Sequence, residues 1–513
     1  MILETDASLS RSVIWRLQRE FYAQRGLRAW SEDKVPHFIT NNPQIADMYA
    51  RVVVGFLSDC MASDPSATPL RILELGAGSG KFCYLFLRHL IARLRAQNIP
   101  PETISYCMTD CSEGLLQAWR ENSYLAEFVQ SGMLRLERLE AGAEANSKFL
   151  NARGPLVLIA NYVFDSLPQD AFVFEEGRIF EALMSTTSPG EETGTNPLSS
   201  LKFSWRNAEI TANHYTEPLW NSILEQYRSH VSAATVLFPC QALETLKNIG
   251  MRSEGRMLVL AADKGHAHED QLALCQGAPA IEFHAGNCFS QMVNFDAIGK
   301  FFELAGWRAF LPDKHASGLS ICGFLEHRPG DLFAATETAC RELQQGFGPD
   351  DLFALLGWLN AHMEEMSLRQ ILAALRLTCW DPVAFMRLFS VIARQIRGVV
   401  AERSDLRNAV MRVWENHYPV TSDENVVAFY CGVILLELRF FEDALRMLTI
   451  SGRLFGQSAA TSYNLGLCAQ GLGRTAEALA YMEEACRLDP NFEAAKSARS
   501  KLENQKSSLP GLD

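Results

Sequence analysis

Several things are scarce in this chain, and each scarcity excludes something. No run of roughly 18 uncharged apolar residues occurs, so no stretch reads as a membrane-spanning helix. The opening segment, MILETDASLSRSVIWRLQREF, mixes acids and bases without an apolar centre, so a secretory signal is not expected. Positive charge is in deficit: 47 Lys and Arg stand against 60 Asp and Glu, a net charge of -13. A broad non-specific grip on nucleic acid needs a basic face, and this balance argues against one. Cysteine is present, thirteen in all, but no Cys-x-x-Cys occurs and the closest pair is Cys107 and Cys111. Neither a zinc cage nor a disulfide framework is expected; no metal site is assigned, and a reducing cytoplasm fits best. Hydrophobic residues make up 48% and charged residues 21% of the chain, which excludes wholesale disorder and coiled-coil rods.

What is present divides into three patterns. Up to about residue 62 the chain reads as helical. Val13, Leu17 and Phe21 fall near helical spacing. Asn41-Asn42-Pro43 offers a polar cap with proline at the first helical position, ahead of the stripe Ile45, Met48, Tyr49, Val52, Val53, Phe56. From about 70 to 326, short apolar runs alternate with helical patterns: 71–75, 104–109, 156–160, 171–176, 255–262 and 319–326. Most are nearly continuous apolar runs, as buried parallel strands require. The alternation predicts a doubly wound, mostly parallel α/β sheet of Rossmann-like type. The Ser/Thr/Gly/Pro-rich stretch 185–200 is expected to be a flexible loop. From about 330 onward the expectation is all helix. Gly432 and Gly466 are 34 residues apart, as are Ala444 and Ala478. A period of 34 with small residues where helices cross resembles the tetratricopeptide repeat (TPR), clearest at 425–495. In the second copy Leu465, Gly466, Ala478, Ala485 and Pro490 all fall on that pattern; the first copy has Ser451 and Gly456 instead of Ala and Pro. Two domains are therefore expected, 1–329 (including the N-terminal helical segment 1–62) and 330–513, with the helices of 349–418 completing the helical stack.

The strongest chemical signal is residues 71–81, RILELGAGSGK. A strand pattern ends at Glu74-Leu75, glycines follow at 76, 78 and 80, and a helix pattern begins. Glycines suit a backbone that must turn tightly against a ligand, and the amides of the helix start point into that turn. A P-loop would need glycine at 75 and Ser or Thr at 82, where Leu75 and Phe82 stand. A dinucleotide loop would need its third glycine one residue later. The next strand-end acid is Asp110, which either takes ribose hydroxyls or caps the helix that follows. After the strand 156–160 come Asn161, Tyr162 and Asp165, just where a parallel sheet opens its ligand crevice. Asp165 could act as a base or cap a helix. The Lys264–Asp270 loop holds His266 and His268 with no third ligand at a settled spacing, and reads as solvated. Trp30, Phe38 and Trp205 are expected to pack.

The spacing Glu-x-Gly-x-Gly-x-Gly resembles motif I of the class I S-adenosylmethionine (SAM) methyltransferases. Asn161-x-x-x-Asp165-x-Leu167-Pro168 then resembles the MidA-like branch, whose mitochondrial members methylate protein arginine for complex I assembly. Segments around Thr40–Tyr49, 171–181, 255–265 and 288–307 agree in order, so the resemblance covers about residues 30–325. It implies a SAM cofactor held by Thr40, Glu74, Gly76, Gly78, Gly80, Asp110 and Asn161, with Asn161, Tyr162 and Asp165 on the acceptor side. It departs at Tyr162, where the family usually has Glu, a carboxylate suited to a guanidinium. A protein substrate or partner is expected in the groove of the helical repeats. The rivals are a small-molecule O-, N- or C-methyltransferase and a SAM-binding scaffold with little turnover. The sequence leaves the oligomeric state open.

Overall fold

The computed structural model describes residues 1–25, 39–144, 147–189, 198–211, 213–284, 288–313, 318–398, 401–420 and 422–507. The chain forms two compact units, Met1–Asp351 and Leu352–Asp513.

The first unit opens with strand β1 (Ile2–Ala7), helix α1 (Val13–Arg25) and helix α2 (Pro43–Ser63). The strand was not expected from sequence: its burial does not alternate cleanly, so no period of two marks it. Asn42 caps α2, its side chain accepting from the amides of Gln44 (3.0 Å) and Ile45 (3.1 Å), an arrangement that stabilises a helix by about 1 kcal/mol. Ile45, Tyr49, Val52, Val53 and Phe56 of α2 are fully buried. Then come β2 (Leu70–Leu75), α3 (Lys81–Ala96), β3 (Ile104–Asp110), α4 (Glu113–Glu121), α5 (Ala126–Gln130), β4 (Leu134–Arg138) and β5 (Leu156–Asn161). An insertion follows: β6 (Asp170–Glu175), β7 (Arg178–Thr187), β8 (Lys202–Glu209), α6 (Pro218–His230), β9 (Ala234–Phe238) and α7 (Cys240–Gly250). Next come β10 (Met257–Asp263), β11 (Gly265–His266), α8 (Glu269–Leu272), β12 (Glu282–His284), β13 (Cys288–Ser290), β14 (Val293–Asn294), α9 (Phe295–Leu304), β15 (Arg308–Phe310), β16 (Ser320–Glu326) and α10 (Ala334–Gln345).

The main sheet has seven strands in the order β15-β16-β10-β5-β2-β3-β4. Strands β10, β5, β2, β3 and β4 run parallel, and β15 and β16 are antiparallel at one edge. The chain runs outward from β2 through β3 to β4, then returns to β5 on the other side of β2. That reversal opens a crevice at the carboxyl ends of β2 and β5, where doubly wound sheets bind ligands. A second, antiparallel sheet carries β1-β7-β6-β9, with β8 paired to β7. Residues 185–187, expected in a loop, end strand β7, held by β1 and β8; 190–197 lie outside the described residues. Helix α1 lies on this second sheet, with Trp15 against Phe289 at a ring separation of 4.8 Å.

Helix α10 belongs to the first unit, beyond the expected boundary at 329/330. Asp59 of α2 accepts from the amide (2.8 Å) and hydroxyl (2.7 Å) of Thr336, and Phe56 stacks on Phe333 at 5.5 Å. A Cβ at Gly55 would come within 3.0 Å of the Ala335 carbonyl, so glycine permits this close approach.

The second unit is helical: most of α11 (Pro349–His362), then α12 (Leu368–Leu377), α13 (Pro382–Gln395), α14 (Arg403–Glu415), α15 (Val427–Glu437), α16 (Phe441–Phe455), α17 (Ala459–Gly471), α18 (Thr475–Leu488) and α19 (Glu493–Ser507). Helices α15/α16 and α17/α18 form two successive hairpins. Gly432 and Gly466 sit where the helices of each pair cross; a Cβ would lie 2.6 Å from Leu448 and 2.7 Å from Met482 respectively. Phe389 of α13 stacks on Tyr430 of α15 at 3.8 Å, joining the preceding helices to the repeats. Among the described residues no helix is long and apolar enough to cross a membrane.

Candidate functional site

A cleft of about 430 Å³ opens at the carboxyl ends of β2, β3 and β5. Its floor is the glycine turn after β2. Gly76, Gly78 and Gly80 have φ of +61°, +54° and +80°, a left-handed path that side chains disfavour. A Cβ at Gly76 would also meet Val163 at 3.0 Å. The turn is tied to β3 by the Ala77 amide on the Thr109 carbonyl (2.9 Å), and to α4 by the Trp119 indole on the Gly78 carbonyl (2.9 Å). Gly80 is the residue before α3 and does not line the cleft itself.

Two acids stand beside this turn. Glu74, 4% exposed, accepts from the Tyr106 hydroxyl at 2.8 Å. Burial pushes its carboxyl up to about 8, against the lowering effect of that hydrogen bond. Asp110 spans two loops: Oδ1 accepts from the Ser112 amide (3.1 Å) and Oδ2 from the Gly78 amide (3.3 Å). Burial raises its pKa, and the two amides oppose that. Asp110 thus does more than steady the start of α4: it fixes the glycine turn across the crevice.

The other wall comes from β5. Asn161 Oδ1 accepts from the Tyr49 hydroxyl of α2 at 3.0 Å, which leaves its Nδ2 as a buried donor without a hydrogen-bond partner among the described residues. Tyr162 follows with φ of +52°, a strained conformation for a residue carrying a Cβ. Its phenol is pushed up by burial and by the carboxyls of Asp263 and Asp165, so it stays neutral. Asp165 is 6% exposed and lies behind the wall; its neighbour Ser166 lines the cleft.

Thr40, Glu74, Gly76, Gly78, Asp110, Asn161 and Tyr162, all singled out from sequence, meet in this one cleft, whereas Gly80 and Asp165 lie behind it. Trp15, Gln18 and Arg19 of α1, Leu139 to Ala141 after β4, and Gln241 at the start of α7 also line it and were not expected to. Strand β4, LRLER, is too short and charged to read as a buried strand, so the loop beyond it had no marker. His266 lies 3.5 Å from the Cys275 thiol and His268 bonds the Pro312 carbonyl (2.7 Å). Trp205 packs on the cluster around Trp15; Trp30 and Phe38 lie outside the described residues.

Can these residues hold SAM? The left-handed glycine turn disfavours side chains at 76, 78 and 80, a Cβ at Gly76 would press on Val163, and the two acids and the Asn161 donor offer polar partners around it. Known proteins answer in the same sense. A family model described as "Putative S-adenosyl-L-methionine-dependent methyltransferase" matches residues 52–280. The chain is a SAM-dependent methyltransferase. Its cofactor is SAM. A tetratricopeptide repeat model matches residues 459–492, the α17/α18 hairpin. No curated protein matches the chain. Among solved structures, a Burkholderia thailandensis "likely methyl transferase" bound to S-adenosyl-homocysteine (SAH) is similar at 14% identity and a TM-score of 0.40, covering 64% of this chain and 89% of its own. MamA of Desulfovibrio magneticus is similar at 16% identity and a TM-score of 0.23, covering 31% of this chain and 98% of its own. The CurJ carbon methyltransferase is similar at 11% identity and a TM-score of 0.27, covering 55% of this chain and 54% of its own.

Proposed function

We propose that this methyltransferase is MidA-like and modifies a side chain of another protein, which the helical repeats recruit. The observation that carries the reading is the shape of the cleft wall. The Gly78 amide and the Asp110 carboxyl are joined across the crevice (3.3 Å), while the Asn161-Tyr162 turn projects from the opposite side. In this reading Glu74, Asp110, Gly76, Gly78, Thr40 and Asn161 hold the cofactor, Gly80 shapes the turn from behind, and Asp110 takes the ribose hydroxyls. SAM, when bound, supplies a methyl group activated on a positively charged sulfur. Asn161 and Tyr162 orient the acceptor, and Asp165 provides a carboxyl for its proton. Orientation is a large part of such a transfer, because holding two reactants in line removes the entropic cost of their meeting.

Tyr162 bears on the acceptor. A neutral phenol stacks on or accepts from a cation without neutralising it. An arginine acceptor would therefore depend on Asp165 and Asp263 for charge. The tetratricopeptide match supports recruitment of a protein partner, and a net charge of -13 suits a basic or neutral one. Thirteen free thiols support a reducing compartment such as the cytoplasm.

The test has two stages. Calorimetry measures binding of SAM and of SAH; then radiolabelled SAM is added to lysate with the full chain. Label in a protein band is expected. Label confined to small molecules overturns the protein-acceptor reading, and binding without any transfer supports a scaffold.

A further inference from the structure

A line of three side chains runs inward from the cleft beneath Tyr162. Ser166 lines the cleft, and its hydroxyl donates to Asp165 Oδ1 at 2.9 Å. The Asp165 amide donates to Asp263 Oδ2 at the end of β10 (3.3 Å), which makes the two buried carboxyls neighbours. Asp263 Oδ2 accepts from three consecutive amides: Val163 (3.2 Å), Phe164 (3.0 Å) and Asp165 (3.3 Å). Its Oδ1 is buried with no donor among the described residues. Two adjacent carboxylates cannot both stay charged in such a place, and a buried acceptor without a donor is costly. One proton held between the two carboxyls removes both difficulties. The same three amides explain how Tyr162 keeps its left-handed φ: the turn that follows it is clamped from β10.

We propose that Ser166, Asp165 and Asp263 form a relay that takes up the acceptor's proton during methyl transfer, with Ser166 as the member that meets the substrate and Asp263 as the positioning residue. The proposal rests on the methyltransferase reading of the cleft. The acceptor atom X, bearing a hydrogen, attacks the methyl carbon. The X–C bond forms and the S–C bond breaks, its electron pair staying on sulfur, so the sulfonium becomes a neutral thioether. The proton on X passes to Ser166 Oγ as the Ser166 proton passes to Asp165. The carboxyl pair goes from one proton and one negative charge to two protons and none. Such a relay fits a hydroxyl or a guanidinium nitrogen, which lose the proton as the bond forms; an ammonium has no lone pair and would first give a proton to Ser166 Oγ and then attack as the amine.

The surroundings leave the pair as the titrating unit. Burial pushes Asp165 up to about 6, and it raises Asp263 further. Lys264, next to Asp263 in sequence, draws Asp165 down; Glu282 of β12, itself 3.3 Å from Lys264, pushes it up. Tyr162, Tyr49 of α2 and Cys322 of β16 also face the pair, and each is held neutral by burial and by Asp263.

The test uses the full chain and needs no identified acceptor at its first stage. Infrared difference spectra at neutral pH, with SAH bound, are compared for the wild type, S166A and the double variant D165N/D263N. Besides the band of buried Glu74, which all three proteins share, a second protonated carboxyl component is expected in the wild type, shifted in S166A and missing from the double variant. Transfer of label from SAM into lysate protein is then followed against pH. S166A should lower kcat by about 100-fold, the size of a general-base contribution, with KM for SAM unchanged and S166T restoring activity. The fall in rate below about pH 6 should be lost in D165N. The relay is overturned if the wild type and double variant give the same carboxyl spectrum, or if S166A transfers label at the wild-type rate. SAH binding without transfer by the wild type would sink the proposed function instead, and the infrared band would still report on the carboxyl pair.

Discussion

At Gly76 two separate constraints coincide. Its φ of +61° disfavours any Cβ, and a Cβ there would press on Val163 at 3.0 Å. Gly76→Val should therefore weaken SAH binding by tenfold or more, given about 1–3 kcal/mol for overpacking, with far-ultraviolet circular dichroism unchanged. Calorimetry checks the affinity, and wild-type affinity would remove the turn from the binding site. Glu74 gives a second prediction. Its folded-state pKa of about 8 lies above the ordinary 4.5. Between those values the unfolded chain has released the proton while the folded chain holds it. Stability from this group is full below about pH 4.5 and is lost as pH rises toward about 8. Ligand-free Glu74→Gln should flatten that decline, so its melting temperature should gain on the wild type between pH 5 and pH 8. A parallel decline in both proteins would show that Glu74 is ionised in the fold. The glycine spacing and the strand-end acids were legible in sequence because backbone geometry restricts those positions to few residue types. The Asp263 clamp was not, since it joins residues about a hundred positions apart.

Among the elements, the parallel strands were the clearest in sequence. Burial on both faces makes β2, β3, β5 and β10 continuous apolar runs; the other two expected runs are the antiparallel strands β6 and β16. Strands β1, β4, β8, β9 and the short β11 to β15 went unread, and β7 was anticipated only through the family resemblance of 171–181. Those of the second sheet carry mixed patterns such as the alternating exposure of β8, and β1 is short and mostly exposed. Helix α1 was legible as a helix, but nothing in its period marked Trp15 and Gln18 as cleft residues. In the repeats, the 34-residue spacing has a direct packing cause: Gly432 and Gly466 meet Leu448 and Met482, which share the same offset. Gly432→Val would drive side-chain atoms into Leu448 and should cost about 1–3 kcal/mol, lowering the melting temperature of the helical unit. Gly466→Ala should cost less, because the tip of Met482 can move aside. Equal effects of the two substitutions would argue against this packing.

For the molecule as a whole, two compact units predict separable roles. A chain ending before Pro349 should bind SAH like the full protein, within about twofold, and should label lysate protein far less. Retention of full protein labelling would separate the repeats from substrate recruitment. By itself, the sequence determined the layered α/β sheet, the repeat architecture and the glycine turn with its flanking acids. These rest on local periodicity and on backbone angles that few residues adopt. Only the tertiary structure decided where the first unit ends, because α10 is held to α2 by Asp59 and Phe56 rather than by any signal along the chain. It also decided that Ser166 faces the cleft while Asp165 turns inward to Asp263, since which side chain reaches a cavity depends on how a strained turn is clamped from another strand.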